Sequence, residues 1–233
     1  MRIINCEQGG PEWLAARLGI PTASMFSKIV TPTGAFSTSS RDYAYRLVAE
    51  RLLRRPLDNI DHVEAITRGK ELEPDAAKLY NFENDVQTVQ VGFITTDDGR
   101  TGASPDRLVG NSGLLEIKAP SANTQVGYLL NGFDAKYKPQ VQGQLMVAER
   151  DWCDWMTFHP EMPTVVVRIG RDEEYIAKLR AALSEFNDVR EEMYHRALAS
   201  GAFQVAPQVR TPHEQAYATE QMSDADEFGE AFA

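Results

Sequence analysis

Gly102–Ala103–Ser104–Pro105–Asp106–Arg107–Leu108–Val109–Gly110, a turn at Asn111–Ser112–Gly113, and then Leu114–Leu115–Glu116–Ile117–Lys118–Ala119–Pro120 is the stretch that decides how this 233-residue chain is read. Residues two apart in a strand share a face, so Glu116 and Lys118 point one way while Leu115 and Ile117 point into the core. The short turn predicts an antiparallel pair, which sets Asp106 beside Glu116. Two carboxylates converging with an ammonium suit a hard divalent cation with oxygen ligands, Mg²⁺ or Mn²⁺. The lysine is then placed to hold a water next to that metal, an arrangement that hydrolyses phosphodiesters. Taken alone, the pattern reads equally as a surface hairpin with one salt bridge. Pro-Asp recurs at 74–75 and Asp-x-Lys at 134–136, although neither has flanking strand hydrophobics.

Working outward, the segments 87–95, 102–110 and 114–120 read as three strands of an antiparallel meander, with a further turn at Asp98–Gly99. Upstream lies a loop-rich start. Helices are then predicted over about 41–55, capped by Ser39 or Ser40, and over about 64–82, where Pro74 should kink or restart the chain. Downstream, helices are predicted near 123–131 and 138–149, the second with Pro139 in a tolerated first-turn position. WCDWMTFH and TVVVRIG read as strands. From Asp172 to about Ala199, Ile176, Leu179, Leu183, Phe186, Val189 and Met193 form the apolar stripe of a long helix. One domain over 1–203 and an acidic, mobile tail over 204–233 are expected.

Charge narrows the class. Lys and Arg number 24 against 34 Asp and Glu, for a net −10 and a pI near 4.9. A protein that coats nucleic acid by bulk charge is excluded, but a local basic groove is not. Residues 1–60 hold eight Lys/Arg against five acids, whereas 204–233 hold one Arg against six acids. No apolar run approaches the roughly 20 residues that span a bilayer, and the N-terminal stretch has no secretory pattern. Cys6 and Cys153 are too few and too far apart for a CxxC metal site, a disulfide framework or an iron–sulfur cluster. His62, His159, His195 and His213 form no zinc-ligand pair, and no phosphate-cradling Gly-Lys-Ser/Thr loop is present. A reduced, intracellular protein is expected.

Further blocks occur in order around the central stretch: Trp13…Arg17–Leu18–Gly19–Ile20–Pro21–Thr22–Ala23–Ser24, Gly69–Lys70–Glu71–Leu72–Glu73, Tyr137–Lys138–Pro139–Gln140–Val141–Gln142, and Asp151–Trp152–Cys153–Asp154. Together, over about residues 5–160, they resemble the phage lambda-type exonucleases, the viral recombinase branch of the PD-(D/E)xK nuclease superfamily. The resemblance implies an α/β (α+β) fold with a restriction-endonuclease-like core, a small mixed sheet carrying the active site on its edge and helices on both faces. It implies Mg²⁺-dependent digestion of one strand of linear duplex DNA from its 5′ end, leaving a 3′ single strand for recombination, in a phage or prophage protein acting in a bacterial cytoplasm. Asp106, Glu116 and the Ile117 carbonyl would ligate the principal metal, with Lys118 beside the attacking water. Glu73 would complete a second metal site, and Mn²⁺ would serve in place of Mg²⁺. Gln140 would stand close to the catalytic centre, with Tyr137 beside the substrate backbone. Arg17, Ser24 and Ser104 would hold the 5′-phosphate, and Ile66 would act as the wedge that parts the duplex end. The family's assembly implies a trimeric ring around DNA, and its usual partner is a single-strand annealing protein.

The chain departs from that pattern at Thr31–Pro32–Thr33–Gly34, where no basic residue stands to reach the duplex. Residue by residue, Ser24 also reads as a helix cap, Glu73 as a solvated acid, and Trp13, Trp152 and Trp155 as packing. The alternatives left open are a restriction-like endonuclease and a non-catalytic DNA-end-binding protein. In the tail, Phe228 and Phe232 among acids read either as a docking peptide or as solubilising charge.

Overall fold

The computed structural model describes residues 1–57 and 63–201, apart from the side chains of 63–66. In chain order the elements are β1 (Arg2–Ile4), α1 (Pro11–Ala16), a 3₁₀ segment (Ala23–Lys28), α2 (Ser40–Leu53), α3 (Val63–Asn84), β2 (Thr88–Val89), β3 (Phe93–Thr95), β4 (Gly102–Ala103), β5 (Arg107–Val109), β6 (Gly113–Lys118), α4 (Ala122–Asn131), a short 3₁₀ turn (Ala135–Tyr137), α5 (Lys138–Val147), β7 (Trp152–His159), β8 (Met162–Gly170) and α6 (Glu173–Ala199). The tail from 204 and the side chain of Ile66 lie outside the described residues.

The expected meander is divided between two sheets. β3 pairs antiparallel with β4 and with β1 in a three-stranded sheet. β2, β5 and β6 pair antiparallel in a five-stranded sheet ordered β2-β5-β6-β7-β8. Each of the first two segments read as one strand, 87–95 and 102–110, therefore serves both sheets. Ser104–Pro105–Asp106 leaves the ladder between them, since a proline has no N–H to donate. β1 is too short to show a period, and α1 and the 3₁₀ segment also fall in the stretch read as loop.

β6 pairs with β7 in parallel, from Gly113 opposite Trp152 to Lys118 opposite Thr157, and so becomes the middle strand of the mixed sheet. The site strand is therefore central, contrary to the expectation of a sheet edge. Its two faces meet different helices. Leu115 and Ile117 pack with Ala76, Ala77 and Tyr80 of α3, while Leu114 packs with Tyr128 of α4 and Val141 and Leu145 of α5.

α3 runs through Pro74 without ending. Tertiary ties hold it on both sides of the proline: Arg68 Nε donates to the Ala119 carbonyl at 3.1 Å, and the Tyr80 hydroxyl donates to Asp154 at 2.6 Å. Packing of this kind outweighs local propensity. α5 approaches the 3₁₀ segment so closely that a Cβ on Gly143 would fall 2.3 Å from the Phe26 ring. Only glycine allows that contact, which brings the helix of Gln140 to the segment of Ser24.

α6 follows the predicted stripe at Ile176, Leu179, Leu183 and Phe186, all buried, whereas Val189 is 41% exposed. Asp172 caps it, accepting from the Tyr175 N–H at 3.0 Å. Trp155 is fully buried and met edge-on by Tyr128 and Phe133, as expected of a packing residue. Among the described residues no helix is long and apolar enough to cross a membrane.

Candidate active site

The β5–β6 register places Arg107 opposite Leu115, so Asp106 comes abreast of Glu116. Asp106 Oδ2 accepts the Ile117 backbone N–H at 2.6 Å, leaving Oδ1 for another ligand. Glu116 is only 3% exposed and accepts three side-chain donors. Lys118 Nζ and Gln140 Nε2 both reach Oε1 at 2.6 Å, and Gln144 Nε2 reaches Oε2 at 2.6 Å. Lys118 Nζ also donates to Gln140 Oε1 at 3.2 Å.

Burial, with the charge of Glu116 added, holds the Asp106 carboxyl well above the ordinary carboxylate range. Burial works to lower the Lys118 ammonium, but Glu116 and Asp106 outweigh it and its pKa stands above the ordinary lysine value. Half-buried Asp106 and buried Glu116 set two carboxyl groups against one ammonium, so release of the Asp106 proton leaves a local excess of negative charge. That excess fits a divalent cation bound by oxygen ligands. Among the described residues no three His, Cys, Asp or Glu side chains are gathered to hold a metal, so a backbone oxygen or water must complete any such set. Glu73 stands on the wall of the same cleft, but its carboxylate is paired with Arg107.

Ser104 and Arg17 come together as expected. Arg17 Nη1 lies 3.5 Å from Ser104 Oγ and Nη2 lies 3.3 Å from Thr22 Oγ1, which in turn is 3.4 Å from Ser24 Oγ. Burial lowers the Arg17 pKa to about 10, so the guanidinium remains charged at neutral pH. Trp13 is more than packing here. Its ring carries Arg17 at 3.8 Å, its Nε1–H donates to Ser104 Oγ at 2.8 Å, and it lines the cleft.

A single cleft of about 350 Å³ is lined by both groups, Arg17, Ser24 and Ser104 together with Asp106, Glu116 and Lys118. Tyr137 does not line it. Its hydroxyl meets that of Tyr128 at 3.1 Å, and its ring lies against Trp155 and 5.0 Å from Lys118 Nζ.

Sequence reading missed Gln144, Thr22 and Gln8. Gln144 had a signal: it is four residues after Gln140, so both amides project from one face of α5 onto Glu116. Gln142, two residues on, faces away. It donates to the Gly170 carbonyl and accepts the Asp172 N–H, joining α5 to the start of α6.

Residues 12–151 match the family described as the YqaJ-like viral recombinase domain. Among solved structures, the alkaline exonuclease LHK-Exo from Laribacter hongkongensis is 32% identical, with a TM-score of 0.75 over 83% of this chain and 98% of that one. LHK-Exo in complex with dAMP gives a TM-score of 0.76 at the same identity and coverage. A phage related exonuclease from Haemophilus somnus 129PT, 15% identical with a TM-score of 0.58 over 76% of this chain and 96% of that one, shares the fold. No curated protein matches. With the family matched over more than half its length and a homologous alkaline exonuclease aligned over most of it, the chain belongs to the YqaJ-like viral recombinase domain family.

Proposed function

We propose that this protein is a Mg²⁺-dependent exonuclease that digests one strand of linear double-stranded DNA from its 5′ end and leaves a 3′ single strand for recombination. The observation that carries the reading is the shared cleft, lined both by an Arg17–Ser24–Ser104 group suited to a terminal phosphate and by the Asp106–Glu116–Lys118 centre. A guanidinium fork beside hydroxyls matches a phosphate's oxygens. An end held there sets the reach of the scissile bond, which favours digestion from an end over internal cutting.

Asp106, Glu116 and the Ile117 carbonyl would hold the principal ion, and Glu73 would join a second once released from Arg107. A bound Mg²⁺ supplies Lewis acidity toward water and phosphoryl oxygens. Lys118 orients the attacking water and steadies charge on the phosphate. Gln140 and Gln144 hold the Glu116 side chain in place. Ile66, on α3, is assigned the wedge that parts the duplex end, and Tyr137 supports Lys118 from behind.

The test offers linear and circular duplexes, with 5′-phosphate or 5′-hydroxyl ends, in Mg²⁺. Loss of the linear form alone, faster from phosphorylated ends, supports the reading. Loss of both forms identifies an endonuclease, and loss of neither identifies an end-binding protein. We further assign a trimeric ring, which would let a chain of net charge −10 enclose DNA in a locally basic channel. Light scattering near the 26.0 kDa of one chain would overturn it. A single-strand annealing protein is the proposed partner, and the 204–233 tail is either its docking segment or solubilising charge. Undiminished pull-down after deletion of the tail would remove the tail from the docking role.

A further inference from the structure

Three cations among the described residues line the cleft, and one of them has no partner among those residues. Arg17 is stacked on Trp13 and lies against Ser104 and Thr22, and Lys118 is paired with Glu116. Lys70, one turn before Glu73 on α3, lines the same cleft with an exposed side chain. Among the described residues it makes no hydrogen bond or ion pair, although Glu73 is its neighbour on the helix, because that carboxylate is taken by Arg107.

The ammonium is nevertheless placed by its surroundings. It extends over Gly9, where an added Cβ would meet Lys70 Nζ at 3.1 Å and Cε at 3.7 Å. Gly9 also has φ +84°, a conformation that other residues resist. The loop is fixed by Gln8, whose Nε2 donates to the Val91 carbonyl at 2.7 Å and the Pro105 carbonyl at 3.0 Å. α3 is fixed by Arg68 and Tyr80. A fixed helix thus holds an ammonium that is unpartnered among the described residues over a fixed loop, at the rim of the cleft proposed to take DNA.

We propose that Lys70 is a substrate-binding residue that contacts an internal phosphodiester of the strand being digested, separate from the terminal phosphate assigned to Arg17. A phosphodiester carries one charge and asks for no planar fork, which suits the point charge of a lysine. A terminal phosphate carries more charge and more oxygens, which suits Arg17 with its two serine hydroxyls. The proposal rests on the nuclease reading of the cleft.

The experiment measures binding of a short labelled duplex in EDTA, so that no turnover is needed. Lys70→Ala should weaken binding about tenfold for 5′-phosphate and 5′-hydroxyl ends alike, the scale of a lost charge-assisted contact. The slope of log affinity against log salt should become shallower by about 0.9, as expected when one phosphate contact is lost. Lys70→Arg should recover most of the affinity, and Gly9→Ala, which crowds the ammonium, should show a weaker form of the same loss. In Mg²⁺, Lys70→Ala should raise KM and leave kcat unchanged. Unaltered affinity and salt slope would overturn the proposal, as would a loss confined to phosphorylated ends. Failure of the unmodified protein to digest linear DNA would instead sink the nuclease reading.

Discussion

The Asp106 carboxylate accepts the Ile117 backbone N–H at 2.6 Å, one residue before β5 begins to pair with β6. The same strand pairing therefore aligns the acid and brings it against Glu116, and the second effect opposes the first. Asp106 is half-buried beside a like charge, and desolvation and Glu116 together raise its pKa. A site built this way is unfavourable for the empty protein and favourable for a cation.

Asp106→Asn should therefore separate stability from activity. The amide oxygen can still accept the Ile117 N–H, while the buried charge is gone. In wild-type protein without metal, the folded state keeps a proton on Asp106 that the unfolded chain releases. Stability should consequently fall as pH rises from the ordinary carboxylate range through the raised folded value, and remain lower above it. Asp106→Asn should flatten that dependence and raise Tm at neutral pH, at about 2–4 °C for each ~1 kcal/mol gained. Mg²⁺ should raise the Tm of wild type and not of the variant. Hydrolysis should disappear in Asp106→Asn and fall at least ~10²-fold in Lys118→Ala. Near-normal turnover in the Asp106 variant would remove it from the site.

Gln144 should act through Glu116. It touches the carboxylate and not the Arg17–Ser24–Ser104 group, so Gln144→Ala should reduce metal affinity or rate by about 10–100-fold, the usual effect of removing a ligand's hydrogen-bond partner. The signature is a raised Mg²⁺ requirement with the preference between DNA ends unchanged. A variant with the wild-type Mg²⁺ titration would show that Gln140 and Lys118 suffice to hold Glu116.

Arg17→Ala should abolish most discrimination between 5′-phosphate and 5′-hydroxyl ends, measured as the ratio of initial rates. Trp13→Phe should lose part of it, because the indole N–H fixes Ser104 and the ring supports the guanidinium. Equal rates on the two ends in unmodified protein would leave this group without its assigned ligand.

The alternation Leu115–Glu116–Ile117–Lys118 was legible because a strand divides its residues between two faces, and here the faces meet unlike neighbours. The division of 87–95 and 102–110 between two sheets was not. It depends on Pro105 leaving the ladder and on β1, three residues long, arriving from the far end of the chain. The central position of β6 was equally hidden, since its parallel partner begins 34 residues after the end of β6. In α5, Gln140 stands out through the family resemblance, whereas its companion Gln144, one turn further on, does not, although helix geometry sets both amides on Glu116. Trp13 reads as core in sequence, and only its stack with Arg17 places it in the cleft. Local periodicity thus exposed the catalytic strand, while residues that act by meeting distant segments gave little sign in sequence.

Asp154 shows how a residue within a family-like block can be structural. It is 3% exposed on β7, accepts the Tyr80 hydroxyl at 2.6 Å, and accepts Arg168 Nε and Nη2 at 2.8 Å each. Arg168 then lies 3.8 Å over the Trp152 ring. Tyr80 belongs to the cluster of Leu115 and Ile117, on the opposite face of β6 from Glu116, so the network anchors α3 and does not enter the cleft. Asp154→Ala strands a buried tyrosine hydroxyl, which costs about 1–3 kcal/mol. Tyr80→Phe removes that donor but leaves Asp154 with Arg168, and should cost about 1 kcal/mol. Chemical denaturation should rank the two in that order. Both variants should retain wild-type kcat at temperatures where they are folded, because Glu116, Lys118 and Asp106 keep their partners. A large fall in kcat with unchanged stability would mean that Asp154 reaches the chemistry through α3, and would move this network from scaffold to active site.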